Sequence, residues 1–120
     1  MKKTVIAVDD SKIMRDMLTF VLQRAGYNVL PAENGADALD LLKQRAADCV
    51  VTDLTMPVMD GLQLIKSMQA GPHKSVPVVM MACMNEDLKR QQGRSAGASG
   101  WVDKPFNPER LVMAVGKACA

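Results

Sequence analysis

Five short apolar runs recur along the chain at nearly constant spacing, and after each one the apolar residues change to a helical period. The runs begin near positions 4, 27, 49, 76 and 99, so 22 to 27 residues separate successive starts. That length holds one strand, one turn and one helix, and little else. The runs Thr4 to Val8 and Val76 to Met81 are almost wholly apolar, which predicts strands covered on both faces, as in a parallel sheet. The expected fold is therefore α/β: five right-handed βα units wound on both sides of one sheet. At 120 residues the chain has the size of a single domain and is long enough to bury a core without metal or disulfide staples.

Helix faces and stop signals fill in the rest. Ile13, Met14, Met17, Leu18, Val21, Leu22 and Ala25 trace the first helix face, with Asp10 or Ser11 as its cap and Gly26 as its stop. Tyr27 to Ala32 is a mixed strand expected near the sheet edge, and Asn34-Gly35 marks the turn into a helix buried through Ala38, Leu39, Leu42 and Ala46. Cys49 to Asp53 leads through a loop to a helix that buries Gly61, Leu64, Ile65 and Met68 and ends at Gly71-Pro72. The segment Asn85 to Ser95 has Leu88 as nearly its only large apolar residue, which predicts a weakly anchored, mostly wet helix. The fifth strand is short, Gly100 to Val102, with Asp103-Lys104-Pro105-Phe106 as its exit loop. Asn107-Pro108-Glu109 starts a last helix with the stripe Leu111, Val112, Val115 and Cys119.

Composition removes several function classes. A hydrophobic fraction of 48% and a charged fraction of 23% describe an ordinary globular domain. A net charge of +2, with dispersed Lys and Arg, gives no electrostatic footprint for nucleic acid. The opening apolar run is too short for a secretory signal or a membrane span, so no membrane partner is expected and the cytoplasm is the expected compartment. Cys49, Cys83 and Cys119 have neither metal spacing nor even pairing and suit a reducing interior. His73 reads as a surface loop residue, which leaves Ser-His-Asp chemistry unsupported. No glycine-rich phosphate-loop or dinucleotide pattern is present.

Charged residues collect where strands end. Asp9 and Asp10 follow the first strand, Asp53 ends the third, and Lys104 follows the fifth. Each has an ordinary explanation, a helix cap for the acids and a solvated side chain for the lysine. Ligands in open α/β sheets bind at this strand edge, however, and three carboxylates gathered there repel unless a cation joins them. An oxygen-only set suits Mg²⁺ better than Zn²⁺. Lys104 offers one positive point to Asp53 or to an oxyanion attached there.

The set Val8-Asp9-Asp10-Ser11, Thr52 to Gly61, Gly97-Ala98-Ser99-Gly100-Trp101 and Lys104-Pro105-Phe106 resembles the receiver domains of bacterial response regulators, and among them the stand-alone chemotaxis type, CheY. The resemblance covers essentially the whole chain. It implies a flavodoxin-like, CheY-like (βα)5 sheet of strand order 2-1-3-4-5, and residues 1–120 as one receiver domain without an output domain. It also implies a sensor histidine kinase as phosphodonor and Asp53 as phosphoacceptor. Asp9, Asp10, Asp53 and the Thr55 carbonyl would hold Mg²⁺, and Lys104, beside a cis bond to Pro105, would meet the phosphoryl oxygens. A downstream protein would dock on the face of the fourth helix, fifth strand and fifth helix. No external substrate is expected, only self-phosphorylation and self-dephosphorylation.

The family carries Ser or Thr at the end of the fourth strand as a switch; here that position is Ala82, which has no hydroxyl, and Cys83 follows on the opposite face. Trp101 occupies the partner aromatic position and can pack inward or outward. Met84 and Thr55 flank the pocket at variable family positions, and Asp103 stands where relatives are usually apolar. A degenerate receiver that binds proteins without phosphorylation is the alternative that Ala82 favours. A phosphohydrolase on this fold would want a second acid two residues after Asp53, where Thr55 stands.

Overall fold

The computed structural model describes residues 2–83 and 86–120. Strands β1 (Thr4–Val8), β2 (Asn28–Ala32), β3 (Cys49–Asp53), β4 (Val78–Cys83) and β5 (Gly100–Lys104) alternate with helices α1 (Lys12–Arg24), α2 (Gly35–Gln44), α3 (Gly61–Gln69), α4 (Asp87–Ala96) and α5 (Pro108–Cys119). All strands are parallel, in the order β2-β1-β3-β4-β5. β2 is an edge strand, as its mixed character predicts.

The sheet separates two apolar layers. Ile6, Val8, Val50, Val78, Met80 and Ala82 face α2, α3 and α4, together with Leu42, Leu64, Ile65 and Met68. Val5, Ala7, Cys49, Val51, Val79, Met81 and Val102 face α1 and α5, together with Leu18, Leu22, Leu111 and Val115. Alternation along each strand produces this division and assigns every strand-end residue to one side.

The helix starts follow their capping chemistry. Ser11, and not Asp10, caps α1, its Oγ accepting from the Met14 N–H, so Asp10 is left exposed for other use. Asp60 and Gln63 form a reciprocal capping box on α3. Asn107 caps α5 ahead of Pro108.

Four expectations are corrected. β4 begins at Val78 because the Val76 N–H is engaged by His73 O in the preceding turn and Pro77 has no N–H to give. β5 continues to Lys104, since Asp103 and Lys104 pair with Ala82 and Cys83 and are not yet exit loop. Ile13 and Met17 are 73% and 48% exposed; with Phe20 and Arg24 they form a stripe turned away from the sheet, and Leu18 and Leu22 alone in α1 are fully buried. Ala46 is exposed beyond the end of α2.

Leu88 is 70% exposed and does not anchor α4. The buried residue of that helix is Gly93, against which the Trp101 ring packs.

Candidate functional site

The carboxyl ends of β1, β3 and β5 bring their charges together. β1 lies beside β3, and β4 lies between β3 and β5, so Asp9, Asp53 and Lys104 come from three strand ends at one edge. Asp9, Asp10 and Asp53 each present a carboxylate oxygen, and the three lie within 4.8 Å of one another. Lys104 Nζ donates to Asp53 Oδ2 at 2.8 Å and stands 3.7 Å from Asp9 Oδ2. The Lys104-Pro105 peptide is cis.

Local structure fixes these groups. Asp9 Oδ1 accepts from the Ser11 N–H at 2.9 Å, and Arg15 Nη1 donates to the Asp9 carbonyl at 2.8 Å. Gly61 sits so close under Asp53 that a Cβ there would stand 2.5 Å from the Asp53 carbonyl oxygen. The Gly61 N–H closes the β3–α3 loop on Leu54 O at 3.0 Å. Only glycine allows this approach, which holds Asp53 at the mouth of the sheet edge.

Burial pushes the Asp9 carboxyl above the ordinary aspartate range; the Ser11 N–H and Lys104 pull it down, and Asp53 and Asp10 push it up again. Burial also opposes the Lys104 charge, but the hydrogen bond and charge of Asp53, with the charge of Asp9, outweigh it and raise the ammonium above its usual value.

The donor set fits a hard divalent cation. Asp9 Oδ2 is buried and has no hydrogen-bond partner among the described residues, although two further carboxylates crowd it. A buried carboxylate oxygen that accepts no hydrogen bond, and whose neighbouring ammonium, Lys104 Nζ at 3.7 Å, is already bonded to Asp53, is costly in such company unless an electron-pair acceptor meets it. All the side-chain ligands are oxygen, and the exposure of Asp10 leaves room for water, which matches Mg²⁺ and not Zn²⁺.

Thr55 lies at the mouth, its N–H 3.5 Å from Asp53 Oδ1 and its hydroxyl donating to Glu86 Oε2 at 2.9 Å. Ala82 is fully buried in the layer facing α2, α3 and α4, as alternation places it. Cys83 is exposed, pairs in register with Lys104 and by alternation shares its side of the sheet. The thiol, and not the methyl, therefore lies on the Lys104 side. Trp101 packs inward over Gly93, and its indole Nε1 is buried without a partner among the described residues. Met84 lies outside the described residues.

Sequence reading missed two residues of α4's first turns. Glu86 Oε1 accepts from the Cys83 N–H at 2.9 Å. Burial raises the Glu86 carboxyl, but this N–H, the Thr55 hydroxyl and Lys89 outweigh it and hold it below the usual range. Arg90 donates through Nη2 to the carbonyls of Ala82 and Cys83, each at 3.2 Å, and to the Asp103 carboxylate. The unusual Asp103 charge is thus paired. The i, i+4 spacing of Glu86 and Arg90 suggests a pair with each other, but Glu86 is flanked by Lys89 and Arg90 pairs with Asp103, so no local signal marks their contacts with the end of β4.

Comparison with known proteins agrees with this geometry. The family model for the response regulator receiver domain matches residues 5–116. The chain is 36% identical over 115 residues to the regulatory protein VanRc of Enterococcus gallinarum, covering 96% of this chain and 49% of that protein. It is 31% identical to the transcriptional regulatory protein SrrA of Staphylococcus aureus, covering 96% of this chain and 47% of that protein. The chain thus spans about half the length of these curated relatives. Among solved structures, the chemotaxis response regulator CheY4 of Vibrio cholerae superposes with a TM-score of 0.90 at 36% identity, over 98% of this chain and 99% of that one. The receiver domain of NtrX from Brucella abortus gives 0.90 at 26% identity, over 96% and 97%. Family match, strand order and the strand-end charges agree: this chain is a member of the response regulator receiver domain family of two-component signalling, with the CheY-like fold.

Proposed function

We propose that the domain accepts a phosphoryl group on Asp53 from the phosphohistidine of a sensor histidine kinase and signals by docking a protein. The observation that carries the reading is the contact of Lys104 Nζ with Asp53 Oδ2 beside the orphaned Asp9 oxygen. An Asp53 carboxylate oxygen attacks phosphorus, the new O–P bond forms as the N–P bond of the donor breaks, and the imidazole leaves with its electron pair. Lys104 carries positive charge at the place where phosphoryl oxygens gather and holds the carboxylate in position. Mg²⁺, held by Asp9, Asp10, Asp53 and the Thr55 carbonyl, would offset negative charge on the transferring group.

The proposed docking face is made by α4, β5 and α5. A shallow depression there is lined by Trp101, Arg110, Met113, Ala114 and Lys117. α4 contributes a single buried residue, so it is the helix best able to move. Similarity to a chemotaxis regulator supports a chemotaxis role, and the free thiols suit a cytoplasmic setting. Among the described residues, no helix is long and apolar enough to cross a membrane.

Incubation with acetyl phosphate and Mg²⁺, followed by intact-mass measurement, should show one added phosphoryl group that an Asp53→Asn protein does not acquire. A label retained by the variant would overturn the assignment. The second reading, a binding module that works without phosphorylation, is favoured by Ala82. Ala82→Thr distinguishes the two: if spectra of the beryllofluoride form are the same with and without the hydroxyl, the missing group is compensated.

A further inference from the structure

Two donors at the pocket mouth are held by one acidic side chain. Glu86 Oε2 accepts from the Thr55 hydroxyl and Glu86 Oε1 from the Cys83 N–H, each at 2.9 Å. Thr55 is two residues past Asp53, and Cys83 is the rung partner of Lys104, whose amine sits on Asp53. The Glu86 carboxylate therefore bridges the ends of β3 and β4 beside the phosphoacceptor. Its side chain is only 17% exposed, and Lys89 Nζ flanks it 3.8 Å from Oε2 and 3.4 Å from Thr55 Oγ1.

A phosphoryl group on Asp53 needs donors of the same kind. Lys104 supplies one from β5. The side chain of Ala82 supplies none, so on the β4 side the Cys83 N–H is the strong donor that the described residues provide, and Glu86 already holds it. Two anions do not share one donor pair at this range without strong repulsion.

We propose that Glu86 is a built-in anionic competitor: in the unphosphorylated domain its carboxylate occupies the Thr55 and Cys83 donors, and a phosphoryl group on Asp53 displaces it. The proposal rests on Asp53 being the phosphoacceptor. Its consequence for signalling lies in where Glu86 stands. It is the N-cap residue of α4, and its N–H also bonds the Cys83 carbonyl at 3.1 Å. Expulsion of the side chain loosens the first turn of α4 from the end of β4. Repulsion at Glu86 thus does what attraction to a hydroxyl at position 82 would do, and Ala82 suffices.

The test uses beryllofluoride with Mg²⁺ as the probe, its affinity read from amide shifts. Glu86→Gln keeps the shape and the acceptor oxygen but removes the charge, and should bind roughly tenfold tighter than wild type. Asp87→Asn removes an equal charge from the next residue of α4 and should bind as wild type does. Cys83 and Thr55 amide resonances should differ between wild type and Glu86→Gln when free, and coincide once beryllofluoride is bound. Equal affinities for wild type and Glu86→Gln, an equal gain in Asp87→Asn, or Cys83 amides that still differ in the bound forms would each overturn the competitor. Failure of every protein to bind the probe would instead sink the phosphoacceptor reading, and the competitor with it.

Discussion

The Trp101 indole rests on Gly93: a Cβ at residue 93 would stand 2.8 Å from Cη2 and 3.0 Å from Cζ2 of the ring, with Met80 Sδ also at 3.0 Å. The missing side chain makes the seat for the ring. Gly93→Ala gains helix propensity of about 1 kcal/mol, but the overlap forces the indole or α4 to shift, at about 1–3 kcal/mol. The expected net result is a loss of stability in urea melts with a changed Trp101 emission maximum. A stabilised protein with unchanged emission would show that the ring yields freely.

Val58 carries a φ of +69°, and its side chain is 80% exposed. The Met59 N–H bonds Pro57 O at 2.8 Å, closing a three-residue turn of the strained hand around a β-branched residue. Strain of this kind costs about 1–3 kcal/mol, and no burial of the side chain offsets it. Val58→Gly should therefore raise the unfolding free energy by about 1 kcal/mol after glycine's own entropy cost, and with it the denaturation midpoint. A lowered midpoint would contradict the turn geometry.

Asp9 should cost stability when no metal is present. Its carboxyl is raised above the ordinary value of 3.8 by burial, so the folded state takes up a proton more readily than the unfolded one. The cost is absent well below 3.8, grows as pH rises through the folded value, and is complete above it. In EDTA at neutral pH, Asp9→Asn should be more stable than wild type. In Mg²⁺ the order should narrow or reverse, because only wild type gains from binding. Thermal melts in both buffers check the pair of outcomes.

Lys104 should act in the opposite sense. Its ammonium is raised above 10.5 by Asp53 and Asp9 against the effect of burial, so its contribution is complete below 10.5 and lost only as pH rises through the folded value. No pH dependence from this group is expected near neutrality. Lys104→Met leaves Asp53 and Asp9 without their shared cation and should lower metal-free stability by roughly 1–2 kcal/mol. Mg²⁺ should recover part of that loss, and the rate of phosphorylation by acetyl phosphate should still fall. A rate equal to wild type would remove Lys104 from the transfer step.

Most of the sheet was legible because its signals are local. The runs at β1, β3 and β4 are covered on both faces and so nearly unbroken, and α3 buries Gly61, Leu64, Ile65 and Met68 as its period demands. The strand-end acids stood out because each follows such a run. What escaped depends on partners distant in sequence. Ile13 and Met17 fit the apolar period, yet the exposed face of α1 includes them, and periodicity alone does not say how wide a face the sheet covers. The segment around Leu88 reads as weakly anchored and wet, and Leu88 is exposed; what the sequence did not reveal is that the helix is seated by the gap at Gly93, filled by Trp101. Glu86 and Arg90 read as solvated charges, and only folding brings the end of β4 between them. Of the weakly anchored segment Asn85 to Ser95, only Asn85 lies outside the described residues.

The division of the interior into two layers has a consequence for how a message crosses the domain. Asp53 and Lys104 belong by alternation to the layer of Val51 and Val102, while Trp101 packs in the layer of Met80 and Leu64. The acid and the indole therefore stand on opposite faces of one sheet. Relay from one packed side chain to the next within a single layer does not connect them. What joins the two faces at the end of β4 is backbone: the carbonyls of Ala82 and Cys83, whose side chains alternate between the faces, both accept from Arg90 of α4.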